Sequence, residues 1–287
     1  MNDLTRERER VEAILRRFLP DGDTRPAALH RAMAYALFAP AKRIRPILVL
    51  AAARATGGGG DRAAEPAAAA IECLHTYTLV HDDLPGMDDD DLRRGRPTCH
   101  KVFGEALALL AGDALQAKAF ELAASSPRAA AEIVSILARA AGSEGVVAGQ
   151  VEDLEAEGTA PDAEKIRYIE RHKTGDLMRA SVAMGAAASG ATAEERAALE
   201  TYADRLGEAF QVADDILNAT GDAKTLGKAV GTDEARGKTT AVSLLGLDGA
   251  RARLAELTAA ACEALSPLGG RAAELSALAA ALETRTR

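Results

Sequence analysis

The run from Pro66 to Asp83, PAAAAIECLHTYTLVHDD, limits what this chain can become more than any other segment. Its Ile71, Leu74, Thr78 and Leu79 fall at the spacing of a helix, not at the alternation of a strand. A segment this apolar suits an interior position in a helical bundle, buried nearly all round. VFGEALALLAGDALQAKAFELAA, which begins at Val102, has the same character. Aromatic residues make up only 3% of the chain and Trp is absent, so alanine and leucine supply most of the apolar mass. Both are strong helix formers, and the expected fold class is all-α.

The remaining segments agree. Met1 to Phe18 reads as an opening helix that stops near Pro20-Asp21-Gly22, and a second follows Pro26. KRIRPILVLAAARA reads as another, with Pro46 near its start and the four glycines Gly57 to Gly60 as a linker after it. Further helices are expected over 128–141, 143–156, 162–172, 174–188 and 193–217, and the stretch 235–283 is again rich in alanine and leucine. Nothing in the composition divides residues 1–287 into two domains, and a chain of 287 residues with 48% hydrophobic content can bury one sizeable core.

A formal net charge of -8 argues against nucleic acid as a partner. Cys73, Cys99 and Cys262 form no CxxC pair, and their odd number fits a reducing cytoplasm. The first residues, MNDLTRERER, are too charged for a signal peptide, and no apolar run is long enough for stable membrane insertion.

Two acid clusters stand out. Asp82 and Asp83 end the first apolar helix, and Asp88 to Asp91 follow the Pro85-Gly86 break. Carboxylates at a helix C-terminus oppose its dipole unless a positive charge offsets them. In FQVADDILNATGD, Asp214 and Asn218 lie four apart on one helix face, with Gln211 three before Asp214. Carboxylates within an apolar stretch are costly without partners. Two such clusters facing one cavity suit Mg2+, which takes one or two protein carboxylates, substrate phosphates and water. Taken singly, the first cluster also reads as a helix cap with surface salt bridges.

Cationic candidates for phosphate are Lys42, Arg45, Arg93, Arg94, Lys173, Lys228 and Lys238, with Thr174 and Gln211 as neutral contacts. Each lysine alone reads as a solvated surface residue. GDAKTLGK does not match GxxxxGK[ST], no GxSxG or HExxH is present, and His75, His81, His100 and His172 form no zinc pattern.

Taken together, these motifs resemble the trans-isoprenyl diphosphate synthases, in the short-chain bacterial farnesyl/geranylgeranyl group. HTYTLVHDDLPGMDDDDLRRGRPT is similar to the first aspartate-rich region of that group, with its two-residue insertion, and FQVADDILNATGD to the second. KRIRP, RHKTG, LGK and GKTT occur in the expected order over roughly 30–250. The resemblance implies an isoprenoid-synthase helical bundle around a deep central cavity, a homodimer, and head-to-tail condensation of isopentenyl diphosphate with dimethylallyl or geranyl diphosphate. It also implies three Mg2+ ions, with Asp82, Asp88 and Asp214 as metal ligands, Asp83 supporting the first cluster and Asp215 beside Asp214. By the same resemblance Arg93, Lys173, Thr174, Gln211, Lys228 and Lys238 contact the allylic diphosphate. Lys42, Arg45, His75 and Arg94 form the isopentenyl diphosphate site. Tyr77, five residues before Asp82, and the smaller Thr78 resemble a farnesyl-making arrangement that favours a 15-carbon product over 20 carbons.

The sequence departs from the family pattern at three places. Pro40 and Ala41 replace two glycines before Lys42, Asn218 replaces an acid, and Ala241-Val242 replaces Tyr-Pro. Asparagine still accepts a hydrogen bond from metal-bound water but adds no charge. The rival readings are a terpene cyclase, against which the Lys42/Arg45/His75/Arg94 set argues, and a non-catalytic partner, against which the intact first motif argues.

Overall fold

The computed structural model describes residues 2–56, 61–156, 162–220 and 240–284. We label its α-helices α1 (Asn2–Phe18), α2 (Ala27–Leu37), α3 (Ile44–Ala55), α4 (Glu65–Asp82), α5 (Cys99–Phe103), α6 (Glu105–Ala124), α7 (Ala130–Ala141), α8 (Val146–Ala156), α9 (Ala163–Ile169), α10 (Asp176–Ser189), α11 (Ala193–Thr220), α12 (Ala241–Ala264) and α13 (Ala273–Glu283). Among the described residues, the only strands form a two-residue antiparallel ribbon, β1 (Leu92–Arg93) with β2 (Arg96–Pro97).

Helix α4 runs through the centre, as its sequence requires. Ala67 to Ala70, Ile71, Cys73 and Leu74 are all buried, and the alanines let α3, α6 and α10 approach closely. A close crossing joins α10 to α3, where a Cβ on Gly185 would lie 2.2 Å from the Val49 carbonyl oxygen. One apolar core cluster extends from Val11 on α1 to Ala279 on α13. A smaller one joins α11 to α12 through Ala209, Ala213, Leu254 and Leu257. Tyr202 is fully buried, and its hydroxyl donates to the Leu275 carbonyl at 2.8 Å, so its polar end carries no unmet bond. Among the described residues, no helix is long and apolar enough to cross a membrane.

Several local expectations need correction. The segment from Val102 is not one helix, because Gly104 (φ +83°) separates α5 from α6. Nor is α6 buried all round: Leu109 is 45% and Leu110 54% exposed. Between α9 and α10 the chain stays helical through a π-helical segment, Glu170–Gly175, where a break was expected. Helix α12 starts at Ala241 behind a capping box, in which the Thr240 side chain accepts from the Ser243 amide and the Ser243 hydroxyl accepts from the Thr240 amide. The glycine linker Gly57 to Gly60 and the stretch before Thr240 lie outside the described residues.

Candidate active site

The first acid region is shaped by a loop that doubles back. The Asp82 carbonyl closes α4 and accepts the Asp88 amide at 2.9 Å, while the Leu84 carbonyl accepts from Met87 at 2.8 Å and Asp89 at 3.2 Å. Pro85-Gly86 forms the exposed bend, and Asp88 returns beside Asp82. Burial raises the Asp82 pKa to about 6; the neighbouring Asp88 and Asp83 charges push the same way, and Lys173 and Arg93 oppose them.

Asp83 has a different role. It is buried and accepts from Arg93 Nε at 2.7 Å, and Arg93 Nη2 also reaches Asp90 at 3.0 Å. Burial raises the Asp83 pKa despite this guanidinium. Arg93 is therefore engaged by the acid region itself. The ribbon carrying it turns at Arg94 (φ +55°) and Gly95 (φ +74°), the positive φ pair that a tight type I′ hairpin needs.

Lys173 and Thr174 lie in the π-helical segment, a distortion common at functional sites. Lys173 Nζ donates to Asp153 on α8 at 2.7 Å. Burial disfavours its ammonium, yet the bond to Asp153 and the charges of Asp153, Asp82 and Asp88 outweigh burial and raise its pKa. The expected residues of α4, the acid loop and the π-helical segment are thus within one another's fields.

Sequence reasoning missed Gln150 and Asp153. They lie three apart on α8, next to Gly149, where a Cβ would lie 2.5 Å from the Lys173 backbone nitrogen. Gln150 is 8% exposed, and both its Oε1 and Nε2 lack a hydrogen-bond partner. The pattern GQ-x-x-D on one helix face was the signal available.

The cationic side gathers Arg45, His75 and Arg94. Arg45 Nη1 is 3.2 Å from His75 Nε2. A guanidinium only donates, so this nitrogen is the acceptor. Burial, followed by the charges of Arg45 and Arg94, holds the His75 pKa well below its ordinary value, and the imidazole is neutral. Burial lowers the Arg45 pKa to about 10; Arg94 adds to this, while Glu72 and Asp214 oppose it. Arg94 is lowered by burial as well. Arg45 Nε is buried without a hydrogen-bond partner, so the cluster is poised for an anion. Lys42 is exposed. A pocket on another face of α4 is lined by Tyr35, Thr76, Val80, Asp83, Arg94 and Thr98.

On α11, Gln211, Asp214 and Asn218 are half-buried. Asp214 acts on Arg45 through its charge, which brings the second acid motif to the cationic cluster. Asp215 is buried and accepts the Ala241 amide at 2.6 Å, so it anchors the start of α12. Lys228 and Lys238 lie outside the described residues. Among the described residues, no three His, Cys, Asp or Glu side chains form a group that would hold a metal unaided. Carboxylates in twos, with the remaining positions left to water and phosphate, match the donor set of Mg2+. Burial first, and the Asp88 and Asp83 charges after it, disfavour the Asp82 carboxylate, and a bound cation would offset both.

Tyr77 lies on α4, one turn before His81. Its ring meets His81 edge-on, with centroids 4.9 Å apart and planes at 74°. His81 Nε2 bonds to the Leu109 carbonyl at 3.0 Å and packs on Gly112, where a Cβ would lie 2.2 Å from that nitrogen. Tyr77 thus packs on a histidine that is itself held against α6. The Thr78 hydroxyl donates to the His75 carbonyl at 2.8 Å, within its own helix.

The polyprenyl synthetase family profile matches residues 26–266. The farnesyl diphosphate synthase of Geobacillus stearothermophilus is 46% identical over 258 residues, covering 88% of this chain and 86% of that protein. The chloroplastic geranylgeranyl pyrophosphate synthase of Capsicum annuum is 46% identical over 261 residues, covering 88% and 70%. Among solved structures, the FPP/GFPP synthase of Zymomonas mobilis superposes with a TM-score of 0.86 at 38% identity, covering 98% of this chain and 99% of that one.

Proposed function

This chain belongs to the polyprenyl synthetase family, and on that premise we propose that it condenses isopentenyl diphosphate head to tail with dimethylallyl or geranyl diphosphate, releasing diphosphate and giving mainly farnesyl diphosphate. It is a prenyltransferase with the all-α isoprenoid-synthase fold. The observation that carries the site assignment is the placement of Lys173 within the fields of both Asp82 and Asp88. That arrangement suits a leaving diphosphate held between a lysine and cation-binding carboxylates.

Asp82 and Asp88 on one side and Asp214 on the other would hold the Mg2+ ions, three per site with substrate bound. When bound, these ions neutralise charge that develops on the leaving diphosphate. Lys173, Thr174, Gln211 and Arg93, with Lys228 and Lys238, grip the allylic diphosphate. Arg45, oriented by neutral His75, holds isopentenyl diphosphate with Arg94 and Lys42. The apolar walls of α4 and α6 keep water from the allylic cation once the diphosphate departs. The double bond of isopentenyl diphosphate then attacks, and the retained diphosphate accepts the proton lost.

Tyr77, braced by His81, limits the growing tail; this favours farnesyl over geranylgeranyl diphosphate. We read residues 1–287 as one domain, supported by the core that joins α1 to α13. Exposed Val102, Leu109, Leu110, Val147 and Val151 support a homodimer. The free cysteines fit a cytoplasmic location.

The test is incubation of purified protein with isopentenyl diphosphate and each allylic starter, with products resolved by length. A 15-carbon diphosphate supports the reading. A mainly 20-carbon product overturns the farnesyl assignment, and a cyclised hydrocarbon from the allylic substrate alone favours the cyclase alternative.

A further inference from the structure

Arg43 lies between Lys42 and Arg45, yet its side chain is buried and each of its three guanidinium nitrogens already bonds within the protein. It is fully buried: Nη1 bonds to Glu72 at 2.6 Å, Nε to Glu12 at 2.8 Å, and Nη2 to the Leu37 carbonyl at 2.5 Å. Its backbone occupies the left-handed region (φ +58°, ψ +33°), which a residue with a side chain keeps only when its surroundings hold it there. Glu72 is 2% exposed and stands three residues before His75 on α4. Its charge also acts on Arg45 and Arg94. One buried carboxylate therefore contacts one arginine and steadies two more.

A buried ion pair is weak evidence for stability, because an apolar pair of similar volume often serves as well. What Arg43 and Glu72 supply that an apolar pair does not is directional attachment of the first turn of α3 to α4. We infer that Arg43 and Glu72 are positioning residues for isopentenyl diphosphate: their bond sets Lys42 and Arg45 in register with His75. This rests on the function proposed above. Neither residue touches the substrate in this account, and the allylic side of the site does not depend on them.

The experiment compares the double variant Arg43→Met/Glu72→Met with the unaltered enzyme, measuring KM separately for isopentenyl diphosphate and for the allylic substrate. Calorimetric binding of isopentenyl diphosphate to the free protein accompanies it. The expected result is a rise in the isopentenyl diphosphate KM of roughly tenfold or more, with the allylic KM within about twofold of the unaltered value. If circular dichroism finds the double variant unfolded, Arg43→Lys decides by the same two constants, since it keeps the charge and loses the fork. Unchanged KM values, or equal rises in both, overturn the inference while leaving the proposed function standing. Failure of the unaltered enzyme to condense the substrates defeats both.

Discussion

The Asp88 amide donates to the Asp82 carbonyl across 2.9 Å, and this one bond turns two aspartates six residues apart into neighbours. Helical continuation would have carried Asp88 well over a turn beyond Asp82. The Pro85-Gly86 bend instead returns it to the side where Lys173 lies within the field of both acids.

From this follows the first expectation. Asp82→Ala and Asp88→Ala should each lower kcat by roughly a hundredfold or more, the scale of losing transition-state charge stabilisation. Steady-state rates at saturating substrate check it; near-normal turnover in either variant would remove that residue from the machinery.

The pKa of Asp82 sets a pH dependence. Its folded value, about 6, exceeds the unfolded 3.8, so between the two the folded protein holds a proton that the unfolded chain has released. This group's contribution to stability therefore falls as pH rises through that window. The magnesium binding proposed above needs the ionised form, so it should strengthen over the same interval. The Tm increase on adding magnesium and diphosphate should be larger at pH 7 than at pH 5, and Asp82→Asn should shrink that difference. An equal or larger increase at pH 5 would contradict the assignment.

The proposed role of Tyr77 as the floor for the growing tail gives a further expectation. Tyr77→Ala should shift product from 15 toward 20 carbons, because truncation removes the ring that His81 braces. Chromatography of the dephosphorylated products decides; an unchanged distribution places the floor elsewhere.

Gly149 is a stricter test of how α8 meets the π-helical segment. A Cβ there would lie 2.5 Å from the Lys173 backbone nitrogen, and backbone does not yield as a side-chain tip does. Gly149→Ala should cost about 1–3 kcal/mol of stability. It should also lower kcat/KM for the allylic substrate by roughly tenfold or more through displacement of Lys173. A melting curve and rates matching the unaltered protein would contradict this packing.

Much of this was legible in the residues. Continuous apolar runs with few aromatics pointed to buried helices, and α4 is what Pro66 to Asp83 led one to expect. The acid and basic motifs identified the residues but not their partners. That Asp83 belongs to Arg93, and Asp215 to the Ala241 amide, depends on contacts between segments distant or differently folded in the chain. The sequence placed a break between helices at Lys173, whereas the chain continues through the π-helical segment Glu170–Gly175, which packs against Gly149 and Gly207. Gln150 and Asp153 were passed over because a single Gln and Asp on an ordinary helix face carry no motif strength until Lys173 is seen beside them.

The central claim is that paired carboxylates use magnesium to draw diphosphate from an allylic chain. Its most direct measurement is diphosphate release by the purified protein, given isopentenyl and geranyl diphosphates, before and after removal of divalent cations by a chelator. The account predicts release in step with a longer prenyl diphosphate, its loss on chelation, and its return when magnesium is restored. Condensation that continues undiminished in the chelator would contradict it.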